Sequence, residues 1–298
     1  MRLDSVGEFG LIGLLKKRLH SDGSVVKGIG DDCAVVDAGL GRYTLLTCDM
    51  IVEKVDFRPN EKPGLIGRKA LAISLSDIAA CGGIPKFALV SLGLPRGFSV
   101  AKVEAMYKGM ESLARKFGVS IVGGDVSKAP ALTLDVSVYG SVEKQNLALR
   151  GGAQPGDTIF VTGSFGGSIK GKHLSFVPRL KESRYLVTHF RINSMIDCSD
   201  GLAADLGHIM EQSGTGCVIF ENLIPRSKAA RNLDDALYSG EDFELIFTAS
   251  PDMSEDIAQA RGFEFKPIGT VTSRRSGMRI VNIRGESRKL QPKGYRHF

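Results

Sequence analysis

Aspartates end several apolar or glycine-rich runs of this chain. The runs GIGDD, LLTCD, IVGGD and SMID close on Asp32, Asp49, Asp125 and Asp197. Taken singly, an aspartate in such a place is most often a turn residue, a helix cap or a salt-bridge partner. Taken together, carboxylates at strand ends are expected to converge on one side of a sheet, where they repel one another unless a divalent cation lies among them. The pattern therefore predicts a Mg²⁺ site and, with it, a polyphosphate substrate.

Asp77 adds a carboxylate from a predicted helix. It falls on the same helix face as Ile66, Ala70 and Ile73, because offsets of four, seven and eleven residues return to one side. An unpaired carboxylate on an apolar face is costly to bury. Asp77 therefore needs a cation, which is either a basic side chain or a metal ion.

Glycine-rich elements accompany these acids. The segment SDGLAADLG places Ser199 or Asp200 at a helix N-terminus, which suits either a capping side chain or a phosphate group. An acid at position 200 is also well placed to hold a metal near such a phosphate. The glycines of IVGGD allow the backbone to approach a ligand closely.

Familiar catalytic motifs are missing or incomplete. The segment GGSIKGKH (166–173) matches GxxxxGK, but His173 stands where a P-loop has Ser or Thr, so we expect no P-loop here. The chain has no protein-kinase HRD or DFG motif and no GxSxG elbow. With five histidines and no CxxC pair, a zinc site is not expected, and His20 and His208 are interpreted as structural.

Composition narrows the class of protein. The 298 residues are 43% apolar and 24% charged, with a net charge of +6 from scattered basic residues, which does not favour nucleic-acid binding. No apolar run approaches the roughly 18–20 residues of a membrane span. The first 19 residues resemble an amphipathic helix rather than a signal peptide, and five unpaired cysteines are typical of reduced thiols inside a cell. We therefore expect a cytoplasmic enzyme.

Two domains must position these residues. Short β-like runs alternate with helices predicted over 64–81 and 99–117, which indicates an α/β (α+β) fold. Glycine and proline concentrate in RGGAQPGD, so we predict domains over 1–149 and 150–298. In the second half, TIFVTG predicts a strand, a poorly periodic basic segment extends to about residue 193, and SMIDCSDGLAADLGHIMEQSG predicts a strand, a turn and a helix.

The motifs resemble those of the thiamine-monophosphate kinase family along essentially the whole chain. They are GIGDDCAVV, LTCDM, ALAISLSDIAACGGIP, IVGGDVS, LRGGAQPGD, IDCSDGLAADLGHI, SGEDFELIFT and KGYRHF, in this order. The resemblance implies the two-domain architecture of aminoimidazole ribonucleotide synthetase-like proteins, use of ATP and several Mg²⁺ ions, and a homodimer that pairs its N-terminal sheet domains. The implied reaction is direct in-line transfer of a phosphoryl group from ATP to thiamine monophosphate.

The resemblance also implies roles for single residues. The implied metal ligands are Asp32, Thr47, the Cys48 main chain, Asp49, Asp77, Asp125, Asp197 and Asp200. Among them, catalysis would depend most on Asp32, Asp77 and Asp197. The implied ATP contacts are Tyr107, Gly124, Asp125, Arg150 and Ser199. Glu241 and Tyr295 would meet the thiamine moiety, as an acid and an aromatic face for a cationic ring.

The chain departs from the family at Asp56, which occupies the position of a histidine that contacts the substrate. The stretch 172–193 also lacks most of the family's Pro-Arg-rich passage.

Two other functions stay open on the sequence: a different ATP-dependent synthetase of the superfamily, and a noncatalytic nucleotide-binding module.

Overall fold

The computed structural model describes residues 3–39 and 41–296, in which two β-sheets carry the helices. The strands of the first sheet are β1 (Val25–Lys27), β2 (Ala34–Val36), β3 (Arg42–Val52), β4 (Ile84–Leu94), β5 (Ser120–Lys128) and β6 (Thr133–Glu143). They lie in the order β1-β2-β3-β6-β4-β5, and only the β4/β5 pair among them is parallel.

Three helices accompany the first sheet: α1 (Leu3–Lys16), α2 (Pro63–Ala80) and α3 (Val100–Phe117). The bounds of α2 and α3 confirm the two helices predicted over 64–81 and 99–117 to within one residue. Gly118 ends α3 in the left-handed conformation, as a glycine stop should. Helix α2 packs on one face of the sheet, and we call this the covered face and its opposite the open face.

Glycines allow α2 and α3 to cross closely. A Cβ added at Gly109 would lie 1.8 Å from the main-chain oxygen of Gly64, and one added at Gly67 would lie 2.2 Å from that of Met106. Both clashes are with backbone, which cannot rotate away. The crossing therefore fixes the distance between α2, with the polar residues it carries, and α3.

We expect Gly109→Ala to lower the free energy of unfolding by about 3 kcal/mol, because the new methyl group forces the two helices apart. Chemical denaturation measures this change. Gly13→Ala is the matched control, since an added Cβ there meets nothing within 4 Å. Equal stability of the two variants would contradict the close crossing.

The second sheet contains the remaining strands. They are β7 (Thr158–Thr162), β8 (Ile192–Asp197), β9 (Thr215–Phe220), β10 (Leu245–Ala249), β11 (Phe265–Ser273), β12 (Met278–Val281) and β13 (Ser287–Lys289), in the order β13-β12-β9-β11-β7-β10-β8. Its helices are α4 (Lys172–Ser175), α5 (Leu180–His189), α6 (Leu202–Ser213), α7 (Leu233–Tyr238) and α8 (Ser254–Ala258). Two separate mixed sheets with helices confirm the predicted α/β (α+β) class.

Side chains from the second half also enter the first core. Leu174, Phe176, Leu180 and Phe243 belong to the hydrophobic cluster around α2, and the rings of Phe176 and Phe243 stack 4.1 Å apart. The segment that looked poorly periodic thus forms α4 and α5 and packs against α2. The sheets separate between residues 143 and 158, while the domain division at 149/150 stays a prediction.

Within the described residues, every helix is too short or too polar to cross a membrane.

Candidate active site

Three aspartates from distant parts of the chain meet between the two sheets. Carboxylate oxygens of Asp32, Asp77 and Asp197 lie within 4.8 Å of one another. Asp32 comes from the loop between β1 and β2, Asp77 from the last turns of α2, and Asp197 from the end of β8. The two halves of the chain therefore build one acidic cluster, which is the convergence that the sequence predicts for these residues.

Hydroxyl groups hold the carboxylates in place. Ser76 donates a hydrogen bond of 2.6 Å to Asp197, and Ser74 donates one of 2.8 Å to Asp49. Thr47 on β3 donates to Asp77. Thr47 and Asp49 thus face α2, whereas the Cys48 side chain between them is exposed on the open face. Only the main chain of Cys48 can therefore contribute a ligand to the cluster.

Asp49 does not end its strand, as the sequence analysis expected. Strand β3 continues to Val52, because it pairs with β6 along eleven residues. The same expectation is wrong for Asp125, which stands within β5, and right for Asp197, the last residue of β8.

The electrostatics of the cluster favour a cation. Burial, followed by the charges of neighbouring carboxylates, raises the pKa of Asp77 well above its usual range. For the same two reasons, the pKa of Asp197 rises to about 8 and that of Asp49 to about 6. Arg150 brings one positive charge, with its Nη2 2.7 Å from Oδ1 of Asp32. This single positive charge does not balance the several carboxylates of the cluster.

A buried oxygen tests whether Mg²⁺ fits. Oδ2 of Asp32 has no hydrogen-bond partner, although it is shielded from solvent. An orphaned carboxylate oxygen beside Asp77 and Asp197 is the hard oxygen ligand that Mg²⁺ prefers. The donor set therefore fits the ion, and Asp32, Asp77 and Asp197 are the residues that would hold it.

The raised pKa values make the metal-free protein sensitive to pH. Between about pH 4 and pH 8, the folded state keeps protons that an unfolded chain has released, so the free energy of unfolding falls as pH rises. Because Mg²⁺ binds the ionised carboxylates, we expect it to raise the melting temperature more at pH 8 than at pH 5. Thermal unfolding in EDTA and in Mg²⁺ checks this. A pH-independent effect of Mg²⁺ would contradict it.

Asp125 does not join the cluster within one chain. In the sheet register it shares a row with Ser91, Asp135 and Met50 on the open face, three strand spacings, or about 14 Å, from β3. The expected convergence of all the acids on one side of a sheet is thus wrong for this residue. Its strand is an edge strand, which leaves the carboxylate exposed.

Gly124 and Tyr107 lie near the same edge. A Cβ at Gly124 would lie 1.8 Å from the main-chain oxygen of Val90, so the strand itself requires a glycine here. Tyr107 on α3 lines a groove of about 600 Å³ together with Ile121 and Lys108. These two predicted ATP contacts therefore lie on neighbouring elements, α3 and β5, and outside the acidic cluster.

The turn before α6 differs from the prediction in one respect. Ser199 and Asp200 precede the helix N-terminus as expected, but the N-cap position is Gly201 and the helix begins at Leu202. Instead Oδ2 of Asp205 accepts hydrogen bonds from the main-chain N–H groups of Asp200 (3.1 Å) and Gly201 (2.9 Å). Sequence reasoning missed Asp205, although an acid in the first turn of a helix is a recognised signal for this contact.

Two of the predicted substrate residues, Glu241 and Tyr295, converge on that turn. The main-chain N–H of Glu241 donates to the oxygen of Ser199 (2.7 Å), and that of Tyr295 donates to the oxygen of Asp200 (3.0 Å). Burial, together with the negative charges of Asp56 and Glu241, raises the pKa of the Tyr295 phenol. The last two residues of the KGYRHF motif lie outside the described residues.

Asp56 turns its carboxylate into its own loop. Oδ2 accepts a hydrogen bond of 2.7 Å from the main-chain N–H of Val52. The residue still lines a cavity of about 350 Å³ with Lys54, Arg58 and His173. The acid thus stabilises the wall of this cavity, and basic side chains stand around it.

Lys172 of the GxxxxGK segment is not placed as a P-loop lysine. Its ammonium contacts the carboxylate of Glu244 (2.8 Å) and the main-chain oxygen of Ser164 (3.1 Å). Arg179 contacts the same buried carboxylate at 2.6 Å. The segment therefore serves an internal ion-pair cluster, in agreement with the expectation that it is no P-loop.

Comparison with known proteins places this geometry in a class. Residues 30–142 match the N-terminal domain of AIR synthase related proteins, and residues 154–282 match the C-terminal domain of the same class. The chain is thus an AIR synthase related protein.

The chain is 36% identical to thiamine-monophosphate kinase of Bacillus subtilis (strain 168), over 98% of this chain and 99% of that protein. It is 33% identical to the Aquifex aeolicus (strain VF5) enzyme of the same name, over the full length of both. The chain belongs to the thiamine-monophosphate kinase family.

A solved structure shows the same fold with ligands. The protein described as AaThiL complexed with AMPPCP and TMP superimposes with a TM-score of 0.87 at 32% identity, covering 100% of this chain and 99% of that one.

Proposed function

We propose that this protein transfers the γ-phosphoryl group of ATP to thiamine monophosphate, forming thiamine diphosphate and ADP. The observation that carries the proposal is the cluster of Asp32, Asp77 and Asp197, which needs cations and joins the two halves of the chain. Family membership supports the choice of acceptor, since relatives across the whole length bear the name of this kinase.

The chemistry is chiefly electrostatic. The acceptor is a phosphate monoester that is already ionised at neutral pH, so the chain needs no strong general base, and we infer direct in-line transfer without a phosphoenzyme. Mg²⁺, when bound, screens the two anionic phosphates from each other. The cluster would hold these ions, with Thr47, Asp49, the Cys48 main chain and Asp200 as further ligands.

Other residues would bind and orient the two substrates. Arg150 and Ser199 would contact the ATP phosphates, and Tyr107 would lie beside the nucleotide. Glu241 and Tyr295 would hold the thiamine moiety, where a carboxylate and an aromatic face suit its positive charge. The backbone bonds that bring Glu241 and Tyr295 to the turn at Ser199 and Asp200 support this arrangement.

We also propose a homodimer that pairs the open faces of the first sheet. Leu46, Met50, Phe87 and Leu89 are 45–58% exposed on this face, a hydrophobic area that water disfavours. Asp125 lies on the same face, so this pairing would place Asp125 and the neighbouring Gly124 at the border between the two copies. Sedimentation velocity should give twice the mass of one chain. A monomer at enzyme concentrations that support full activity would contradict the pairing.

A reducing location suits the chain. All five cysteines are free and four are buried, so we place the protein in the cytoplasm.

A product assay tests the function. The protein is incubated with ATP and Mg²⁺ and with thiamine monophosphate, free thiamine or an aminoimidazole ribonucleotide precursor, and the products are separated by chromatography. We expect thiamine diphosphate from the monophosphate alone. ADP release with the ribonucleotide precursor would indicate the synthetase alternative, and ATP binding without turnover would indicate a noncatalytic module.

A further inference from the structure

Lys69 is a charged residue in a place where charges are rarely found. It lies in the middle of α2 with a side chain that is 1% exposed, among the largest fully buried side chains of the protein. A buried ammonium group is tolerated only where acceptors satisfy it. Its contacts therefore indicate what the lysine is for.

The ammonium joins two separate parts of the predicted acceptor site. Nζ donates a hydrogen bond of 2.8 Å to the main-chain oxygen of Asp56, in the loop between β3 and α2. It also forms an ion pair with Oε1 of Glu241, in the loop before β10. These partners are 13 and 172 residues away along the chain. One side chain thus connects the wall of the cavity to the acid predicted to meet thiamine.

The loop that carries Glu241 needs such support. Glu241 and Phe243 have φ values of 56° and 50°, which residues other than glycine rarely adopt. Strained turns of this kind persist where the surrounding structure holds them from several sides. Ser168 donates a 2.6 Å hydrogen bond to the main-chain oxygen of Glu241, and Lys69 holds its carboxylate.

Lys69 holds Glu241 without covering it. The Glu241 side chain keeps 24% of its surface exposed, so it can still contact a ligand. The positive charge also offsets the negative charges of Asp56 and Glu241, which would otherwise repel an anionic acceptor. The acidic cluster receives two of its hydroxyl contacts from Ser74 and Ser76, which lie farther along the same helix.

We propose that Lys69 is a positioning residue for the phosphate-bearing acceptor, which sets Glu241 and the Asp56 loop in one geometry and neutralises their charge. This inference rests on the proposed function, because it concerns the same acceptor. It assigns Lys69 no contact with the reacting phosphates. Its loss should therefore affect acceptor binding far more than ATP binding.

Steady-state kinetics of Lys69→Met test the proposal. We expect the KM for thiamine monophosphate to rise about tenfold or more, with the KM for ATP within about twofold of wild type. Lys62→Met is the matched control, since Lys62 is exposed at the start of the same helix. Lys69→Gln, which keeps a hydrogen-bond donor but no charge, is the second variant should the methionine variant not fold.

A double-mutant cycle separates positioning from general support of the fold. If Lys69 acts through Glu241, the change in acceptor KM caused by Lys69→Met should be much smaller in a Glu241→Gln background. Equal changes in both backgrounds, or KM values for ATP and acceptor that rise together, would overturn the proposal. If the wild-type protein forms no thiamine diphosphate, the proposed function is wrong and the role of Lys69 falls with it. If the wild-type protein forms thiamine diphosphate and the Lys69 variants have the same KM for thiamine monophosphate, the role of Lys69 alone is wrong.

Discussion

Asp77→Asn and Asp197→Asn should each lower the rate of phosphoryl transfer by on the order of 10²–10³-fold while the protein stays folded. Each substitution removes one anionic ligand from the cluster, and the loss of several kcal/mol of charge stabilisation corresponds to this factor. The amide keeps an oxygen that can accept from Thr47 or Ser76, so the hydrogen bonds seen at both sites can persist.

The two variants should have a second property that a damaged fold would not have. Because the neutral amide relieves repulsion among buried carboxylates, the metal-free variants should melt no lower than wild type at pH 8. Their gain in melting temperature on adding Mg²⁺ should be smaller. Asp256→Asn, at an exposed position of α8, is the matched control and should change neither property. More than a tenth of wild-type activity in both variants would contradict the role assigned to the cluster.

Arg150→Met should weaken both ATP use and the stability of the metal-free protein. The guanidinium contacts Asp32 through Nη2 at 2.7 Å and Nε at 3.2 Å, and its loss leaves a buried carboxylate beside Asp77 and Asp197. Breaking a buried ion pair from one side costs about 3–5 kcal/mol. We expect a loss of this size in EDTA, a smaller loss in Mg²⁺, and a higher KM for ATP.

Arg184→Met provides the comparison for Arg150. Arg184 is equally exposed, at 22%, and pairs with Glu143 at 2.9 Å, away from the cluster. It should lose some stability, but Mg²⁺ should not restore it and the KM for ATP should not change. A loss at Arg150→Met that Mg²⁺ leaves untouched would contradict the electrostatic coupling of Arg150 to the metal site.

Local patterns predicted much of the fold. The apolar spacing and glycine stops of α2 and α3 depend on near neighbours in the chain, and both helices appear where expected. The face of α2 that carries Asp77 was also predictable from helical periodicity. The ends of the strands were less predictable. The lengths of β3 and β5 depend on their pairing with β6 and β4, and the sequence of one segment does not encode its pairing with another.

Contacts between distant segments set the limits of prediction at the site. Arg150 meets Asp32 across 118 residues, and Lys69 meets Glu241 across 172. Asp205 accepts the main-chain N–H groups of Asp200 and Gly201, a contact that the sequence analysis did not predict. Which face of the sheet Asp125 occupies depends on register, and a shift of one residue would reverse it.

The departure at Asp56 has a local physical explanation. A carboxylate there accepts the N–H of Val52 and stabilises the loop. The basic groups near the cavity come instead from Lys54, Arg58 and the buried Lys69 beneath it. An acid at this position is therefore compatible with an anionic acceptor.

The most direct measurement is a crystal structure with Mn²⁺ in place of Mg²⁺, a nonhydrolysable ATP analogue and thiamine monophosphate, with the metal located by its anomalous scattering. We expect Mn²⁺ between the carboxylates of Asp32, Asp77 and Asp197, in contact with the nucleotide phosphates, and the acceptor phosphate on the side of Glu241 and Tyr295. Nucleotide phosphates bound elsewhere, with no anomalous peak among these three aspartates, would contradict the proposed site.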